Sequence, residues 1–294
     1  MRHRFECPVR WADLDPLGHV NNVVYVDYLQ EARVDMMRTH ALDPRGGDLA
    51  EAAVVTRSEV SYLAPLTFRF RPVSIECWVT LVRAASFTVA YEVFDEHEDG
   101  TRTTYLRAST ALTPYVFAGE HPRRLTPEER VVLERLLEPA DAPTPAALAG
   151  APDGRGHHYP LRVRFSDVDV YGHVNNVKYF EFFQEGRVAL MAGLRRRLPP
   201  GTPHGQVVVA RTDVEYRVPL LFRPEPYDLW SRVSHVGTTS MVVEAEIRDR
   251  GAVQSRARVV LVFWDRRTQR KSAPPPEVRA LLLAEQAATA TPGC

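Results

Sequence analysis

Cysteine is nearly absent from this chain. Three occur in 294 residues, Cys7, Cys77 and Cys294. Their odd number and wide spacing support neither a disulfide framework nor a zinc cluster. A charge surplus is missing too. Lys+Arg and Asp+Glu are both 37, so the chain has none of the basic excess that marks nucleic-acid binders, and no nucleic-acid partner is expected. No apolar run approaches the roughly 20 residues of a membrane span. The opening MRHRFECPVRW lacks the apolar core of a signal peptide. The expectation is a cytoplasmic protein with no membrane partner. What remains, 45% hydrophobic and 25% charged residues, is the composition of a soluble globular protein of about two domains.

The chain contains one long passage twice. Residues 9–33 read VRWADLDPLGHVNNVVYVDYLQEAR and residues 163–187 read VRFSDVDVYGHVNNVKYFEFFQEGR, identical at 14 of 25 positions. The offset of 154 residues persists downstream in Val60/Val214, Tyr62/Tyr216, Pro65/Pro219, Phe68/Phe222 and Ser86/Ser240. Solenoid units are about 20–50 residues long, so this is a duplicated domain. Cys7 aligns with Leu161 and Cys77 with Ser231, which argues against a cysteine nucleophile serving both copies.

Each copy opens with a short strand pattern (4–11, 159–165), followed by a polar loop and a long helical pattern (22–39, 176–196). The apolar residues of those helices cover most of the circumference, as in a buried helix. Strand patterns follow at 52–63, 73–83, 86–96 and 102–116, echoed at 206–217, 226–236, 239–249 and 252–264. Tight breaks such as Glu98-Asp99-Gly100 and Arg250-Gly251 predict antiparallel hairpins. A small amphipathic helix closes each copy, from Leu125 and from Pro274. The Pro/Ala/Gly-rich stretch 139–156 reads as a linker, His157-His158 as its end, and the last residues, AATATPGC, as a frayed tail. The domains expected are 1–138 and 157–294.

The polar residues shared by the copies form D-x-D-x-x-G-H-V-N-N, which leads straight into the helix. This places a carboxylate on a glycine-kinked loop beside a helix N-terminus, whose unpaired N–H groups and partial positive charge suit a developing oxyanion. Such a carboxylate attacks a reactive carbonyl or activates a water that does so. Neither route requires a metal or a cofactor, and none is expected. A thioester carbonyl is electrophilic enough for a weak carboxylate nucleophile.

The candidate catalytic residues are Asp15, Asp169, His19 and His173. Gly18, Asn22, Gly172 and Asn176 are the candidate substrate-binding residues. Each has a bland alternative. Asp15 and Asp169 could simply cap turns; their recurrence with the same glycine and histidine favours chemistry. His19 and His173 either hold the loop or assist proton transfer. Asn21 and Asn175 read as helix caps, Asp13 and Asp167 as structural. Arg69, Arg71, Arg217 and Arg223 are candidates for meeting the phosphates of a ligand.

Strand, D-x-D-x-x-G-H-V-N-N loop, helix with Tyr at its second turn, then an antiparallel meander: this arrangement resembles the hotdog-fold acyl thioesterases, in the branch containing 4-hydroxybenzoyl-CoA thioesterase. It is also similar to the plant acyl-acyl-carrier-protein thioesterases, which carry two hotdogs in one chain. The resemblance implies an α+β fold of two tandem hotdog domains, each an antiparallel sheet wrapped around a long central helix, forming an internal pseudo-dimer. It implies catalysis by the second Asp of D-x-D, Asp15 and Asp169, with carbonyl polarisation by the amides of Asn22 and Asn176. It also places active sites at the seam between hotdogs and leaves a homo-oligomer of the pseudo-dimer open.

Two departures bear on the substrate. The plant enzymes place an Asn two residues after the catalytic Asp, where this chain has Leu17 and Tyr171. The 4-hydroxybenzoyl enzyme lacks Gly-His-Val-Asn-Asn, so its aromatic specificity does not transfer. The function expected is hydrolysis of an acyl-CoA, a small-molecule substrate. The alternatives are an acyl-acyl-carrier-protein thioesterase and a non-catalytic acyl-thioester binder. A hydratase of the same fold is expected to carry a different Asp/His arrangement.

Overall fold

The computed structural model describes residues 1–40, 53–140, 147–150 and 155–290. The chain divides into two compact units, Met1–Pro145 and Ala146–Cys294.

The first unit runs β1 (His3–Cys7), α1 (Val24–His40), β2 (Ala53–Tyr62), β3 (Val73–Val82), β4 (Phe87–Glu96), β5 (Arg102–Val116), β6 (His121–Pro122) and α2 (Pro127–Arg135). The second repeats that order: β7 (His157–Leu161), α3 (Lys178–Arg195), β8 (Gln206–Tyr216), β9 (Tyr227–Val236), β10 (Ser240–Asp249), β11 (Ala252–Asp265), β12 (Arg270–Lys271) and α4 (Pro276–Thr289). Within each unit the described strands pair antiparallel. The first sheet is ordered β1-β3-β4-β5-β2, with β6 on β5. The second is ordered β7-β9-β10-β11-β8, with β12 on β11. These are the tandem antiparallel units that the repeat predicts.

Alternation explains which sheet face is covered. In β4, Phe87, Val89, Tyr91 and Val93 are buried while the residues between them are half-exposed. Helix α1 lies against β1 and β3, and α3 against β7, β9 and β10. Seven α1 residues are buried, including Tyr25, Tyr28, Leu29 and Met36. The closing helices pack on corresponding strands, α2 on β3 and α4 on β9. Helix α2 starts on a capping box in which Thr126 accepts from Glu129 N–H at 3.2 Å and Glu129 accepts from Thr126 N–H at 2.8 Å. No helix among the described residues is long and apolar enough to cross a membrane.

The structure corrects four local expectations. The opening strands stop at Cys7 and Leu161, short of residues 11 and 165, because the chain turns through short 3-10 segments at Trp11–Asp13 and Phe165–Asp167. His157 and His158 are not linker. They belong to β7, where His158 Nε2 lies 2.8 Å from Asp228 Oδ1 and the ring stacks on Trp230.

Of the expected linker, 141–146 and 151–154 lie outside the described residues. Leu148, however, is a buried strap residue. Its N–H donates to Glu215 Oε1 at 2.9 Å and its carbonyl accepts from Arg256 at 3.1 Å. The expected tail residue Thr289 is likewise buried in the last turn of α4, its hydroxyl 2.9 Å from the Glu285 carbonyl; 291–294, including Cys294, lie outside the described residues.

Candidate active site

The D-x-D-x-x-G-H-V-N-N spacing is turn chemistry. Asp15 N–H donates to the His19 carbonyl at 2.7 Å, and Gly18 N–H to the Asp15 carbonyl at 3.0 Å. Residues Pro16-Leu17-Gly18 therefore form a three-residue hairpin loop whose last position needs a left-handed backbone, and Gly18 supplies it at φ 80°. Asp169, Gly172 and His173 repeat this at 2.8 and 3.1 Å, with Gly172 at φ 81°. The hairpin legs are bridged at Leu14–Val20 and Val168–Val174. Asn21 N–H donates to the Asp13 carbonyl, and Asn175 N–H to the Asp167 carbonyl, both at 2.9 Å.

One oxygen of each candidate carboxylate serves the turn. Asp15 Oδ1 accepts from Leu17 N–H at 2.8 Å and from His19 N–H at 3.2 Å. Asp169 Oδ1 accepts from Tyr171 N–H at 2.9 Å and from His173 N–H at 3.4 Å. To that extent the bland reading holds. The second oxygen, Oδ2, takes no hydrogen bond from the described residues in either copy. His19 and His173 meet the carboxylate through their main-chain N–H groups.

The far leg of the hairpin reaches the helix through the Asn pair. Asn21 Oδ1 accepts from Val23 N–H and Asn175 Oδ1 from Val177 N–H, both at 3.3 Å. Each side chain closes a turn just ahead of its helix; the residue immediately before α3, Val177, makes no side-chain cap bond. The carbonyl of Asn22 is held by the Tyr62 hydroxyl at 2.8 Å, and that of Asn176 by Tyr216 at 3.0 Å. The amides of Asn22 and Asn176 have no acceptor among the described residues. They are orphan donors immediately ahead of a helix.

Buried groups fix this frame. Val20 N–H donates to the Leu66 carbonyl at 2.8 Å and Val174 N–H to Leu220 at 2.9 Å, tying each hairpin to the segment after β2 or β8. Tyr179 accepts from Leu220 N–H at 2.9 Å, and Tyr25 is hydrogen-bonded to the Leu66 main chain. Burial pushes both phenols well above the ordinary tyrosine range, so they stay protonated.

Asp13, 3% exposed, is structural as expected. It accepts from Arg10 N–H at 2.8 Å, from the Arg10 guanidinium at 2.9 Å and from the Tyr28 hydroxyl. Burial alone would raise its pKa; the Tyr28 hydroxyl and Arg10 together outweigh it and bring the carboxyl below its ordinary value.

Neither described cysteine offers a thiolate. Burial pushes Cys7 up to about 12 and Cys77 higher still. All four candidate phosphate-binding arginines meet a carboxylate: Arg69 forms a two-pronged pair with Asp95, which Arg71 also reaches at 3.4 Å, Arg217 donates to Glu215 at 3.3 Å, and Arg223 to Asp249 at 2.8 Å. Arg33 of α1 donates to the Tyr91 hydroxyl at 3.4 Å.

Sequence reasoning passed over three contributors. Tyr62 and Tyr216 recur at the common offset, which was a usable signal. Tyr28 reads as one more apolar helix residue. Trp11 with Phe68, and Phe165 with Phe222, form edge-to-face pairs at 5.4 and 5.9 Å, in which every ring but the half-buried Phe68 is exposed.

A thioesterase-like superfamily model matches residues 9–136 and 163–282, each match spanning one copy of this frame. The chain belongs to the thioesterase-like superfamily. No curated protein matches it. Among solved structures, the superfamily fold extends over both units. The 12:0-ACP thioesterase of Umbellularia californica is similar at 18% identity and TM-score 0.70, over 92% of this chain and 94% of that one. An acyl-ACP thioesterase from Bacteroides thetaiotaomicron is similar at 17% identity and TM-score 0.61, over 89% and 97%. At such identities these likenesses establish a shared thioesterase fold.

Proposed function

We propose that this protein hydrolyses acyl-CoA thioesters, with Asp15 and Asp169 as the reacting carboxylates. Membership of the thioesterase-like superfamily supports thioester hydrolysis as the class of reaction. The observation that carries the residue assignment is the division of labour within each carboxylate. Oδ1 is spent on two loop amides, while among the described residues Oδ2 takes no hydrogen bond and the amide ending the hairpin's other leg has no acceptor.

In the general-base route, Oδ2 takes a proton from water as the oxygen attacks the thioester carbonyl. In the nucleophilic route, Oδ2 attacks directly and water cleaves the resulting anhydride. In both, the amide of Asn22 or Asn176 stabilises the oxyanion, the C–S bond breaks, and the thiolate leaves and is protonated. His19 and His173 are the candidates for supplying that proton. Gly18 and Gly172 serve by allowing the turn. Leu17 and Tyr171, where the plant carrier-protein enzymes place an Asn, favour a coenzyme A thioester over an acyl-carrier protein.

The test is free-thiol release from short, long and aromatic acyl-CoAs, with an enoyl-CoA and an acyl-acyl-carrier protein alongside. Free coenzyme A from one or more acyl-CoAs is expected. Hydroxyacyl-CoA from the enoyl substrate would mean a hydratase, turnover of the carrier-protein substrate alone would move the substrate class, and binding without turnover would mean a sensor.

A further inference from the structure

The two copies share the hairpin but not its anchor. In the first, Asp13 sits between the reacting carboxylate and the orphan amide: it lies two residues before Asp15, and its carbonyl holds Asn21 N–H at 2.9 Å. Its buried side chain is gripped from three directions, by the Arg10 amide, the Arg10 guanidinium and the Tyr28 hydroxyl. Tyr28 is itself buried in α1, so this bond ties the hairpin leg directly to the body of the helix.

In the second copy Asp167 is equally buried, and its carbonyl holds Asn175 N–H at the same 2.9 Å. Position 182, which corresponds to Tyr28, is phenylalanine. The Asp167 carboxylate keeps a single hydrogen bond among the described residues, from Arg164 N–H at 2.7 Å.

We propose that Tyr28 is a positioning residue that makes the Asp15 site the faster of two inequivalent sites, and that Phe182 leaves the Asp169 site slower. This rests on the assignment of Asp15 and Asp169 as reacting groups. Tyr28 donates to Asp13 and makes no hydrogen bond to Asp15 among the described residues, so it acts through Asp13. A carboxylate and an amide must be held together at the reacting carbonyl, and small losses of alignment reduce turnover more than binding. The effect therefore falls on kcat and leaves KM in place.

The test uses the full chain with one site silenced at a time. In the Asp169→Asn background, which reports the first site, Tyr28→Phe is expected to lower kcat by about fivefold to tenfold with KM unchanged. In the Asp15→Asn background, Phe182→Tyr is expected to raise kcat. Melting temperatures of all four proteins separate a positioning effect from a folding defect. Unchanged kcat for a folded Tyr28→Phe protein, or a matching change in KM, overturns the proposal. So does Phe182→Tyr with no gain. Failure of the underlying assignment looks different: the two Asp→Asn backgrounds then keep full wild-type turnover before either ring is altered.

Discussion

The two units agree in main chain and differ in side chain, and the pattern of agreement is informative. Around Asp15 and Asp169 every main-chain bond recurs within about 0.1 Å, from the Asp–His pair (2.7 and 2.8 Å) to the Asn–Asp pair (2.9 Å in both). What changes is the support behind them. Tyr28 becomes Phe182, Leu17 becomes Tyr171, and Ala32 becomes Gly186. The last change is a packing exchange. A Cβ on Gly186 would come within 2.3 Å of Leu229 Cδ2, so an alanine there would force the buried Leu229 side chain to move, whereas α1 carries a fully buried alanine at the same point. A duplicated domain can thus keep one turn geometry while each copy settles its own core.

Substitutions made in pairs break or sharpen this comparison. The largest stability effect is expected at the anchor. Asp13→Ala strands the Tyr28 hydroxyl and the Arg10 group and should cost about 3 kcal/mol, against about 1 kcal/mol for Asp167→Ala, in denaturant unfolding at neutral pH. Because the folded-state pKa of Asp13 is depressed, its contribution is complete above the unfolded value near 3.9 and fades as pH falls through the lower folded value. The gap between wild type and Asp13→Ala should therefore narrow below about pH 4; a gap that widens in acid contradicts the sign.

Next comes the helix contact. Gly186→Ala should destabilise by about 2 kcal/mol through the Leu229 clash, and Ala32→Gly by about 1 kcal/mol through backbone entropy. Thermal melts of the pair would refute the packing exchange if Gly186→Ala proved stabilising.

The smallest effect should also be the most symmetrical. Gly18→Ala and Gly172→Ala meet no steric obstacle in either copy and share the same positive φ. Each should cost about 1 kcal/mol, and unequal costs would mean that the two turns differ.

Much of this was legible in the sequence because duplication doubles every signal. Hairpins such as Arg250-Gly251 stood out, with Gly251 at φ 85°, since turn residues and period-2 alternation are local. The D-x-D-x-x-G-H-V-N-N loop was legible for the same reason: Asp, Gly and His at fixed spacing are the requirements of one turn. Tertiary choices were not legible. Tyr28 at helical spacing looks like core until a buried aspartate is seen beside its hydroxyl. Leu148 lies in a Pro/Ala-rich run with no periodicity, and only the Glu215 and Arg256 side chains turn it into a strap. His157 and His158 read as linker because an edge strand of five residues leaves too short a pattern to detect.

The central claim is most directly tested by coenzyme A release from the best acyl-CoA substrate by wild type, Asp15→Asn, Asp169→Asn and the double variant, all confirmed to be folded. The account predicts that each single variant retains part of the activity, that Asp15→Asn loses the larger part, and that the double variant falls at least about 100-fold below wild type. A double variant as fast as wild type would contradict it and return both carboxylates to the role of turn caps.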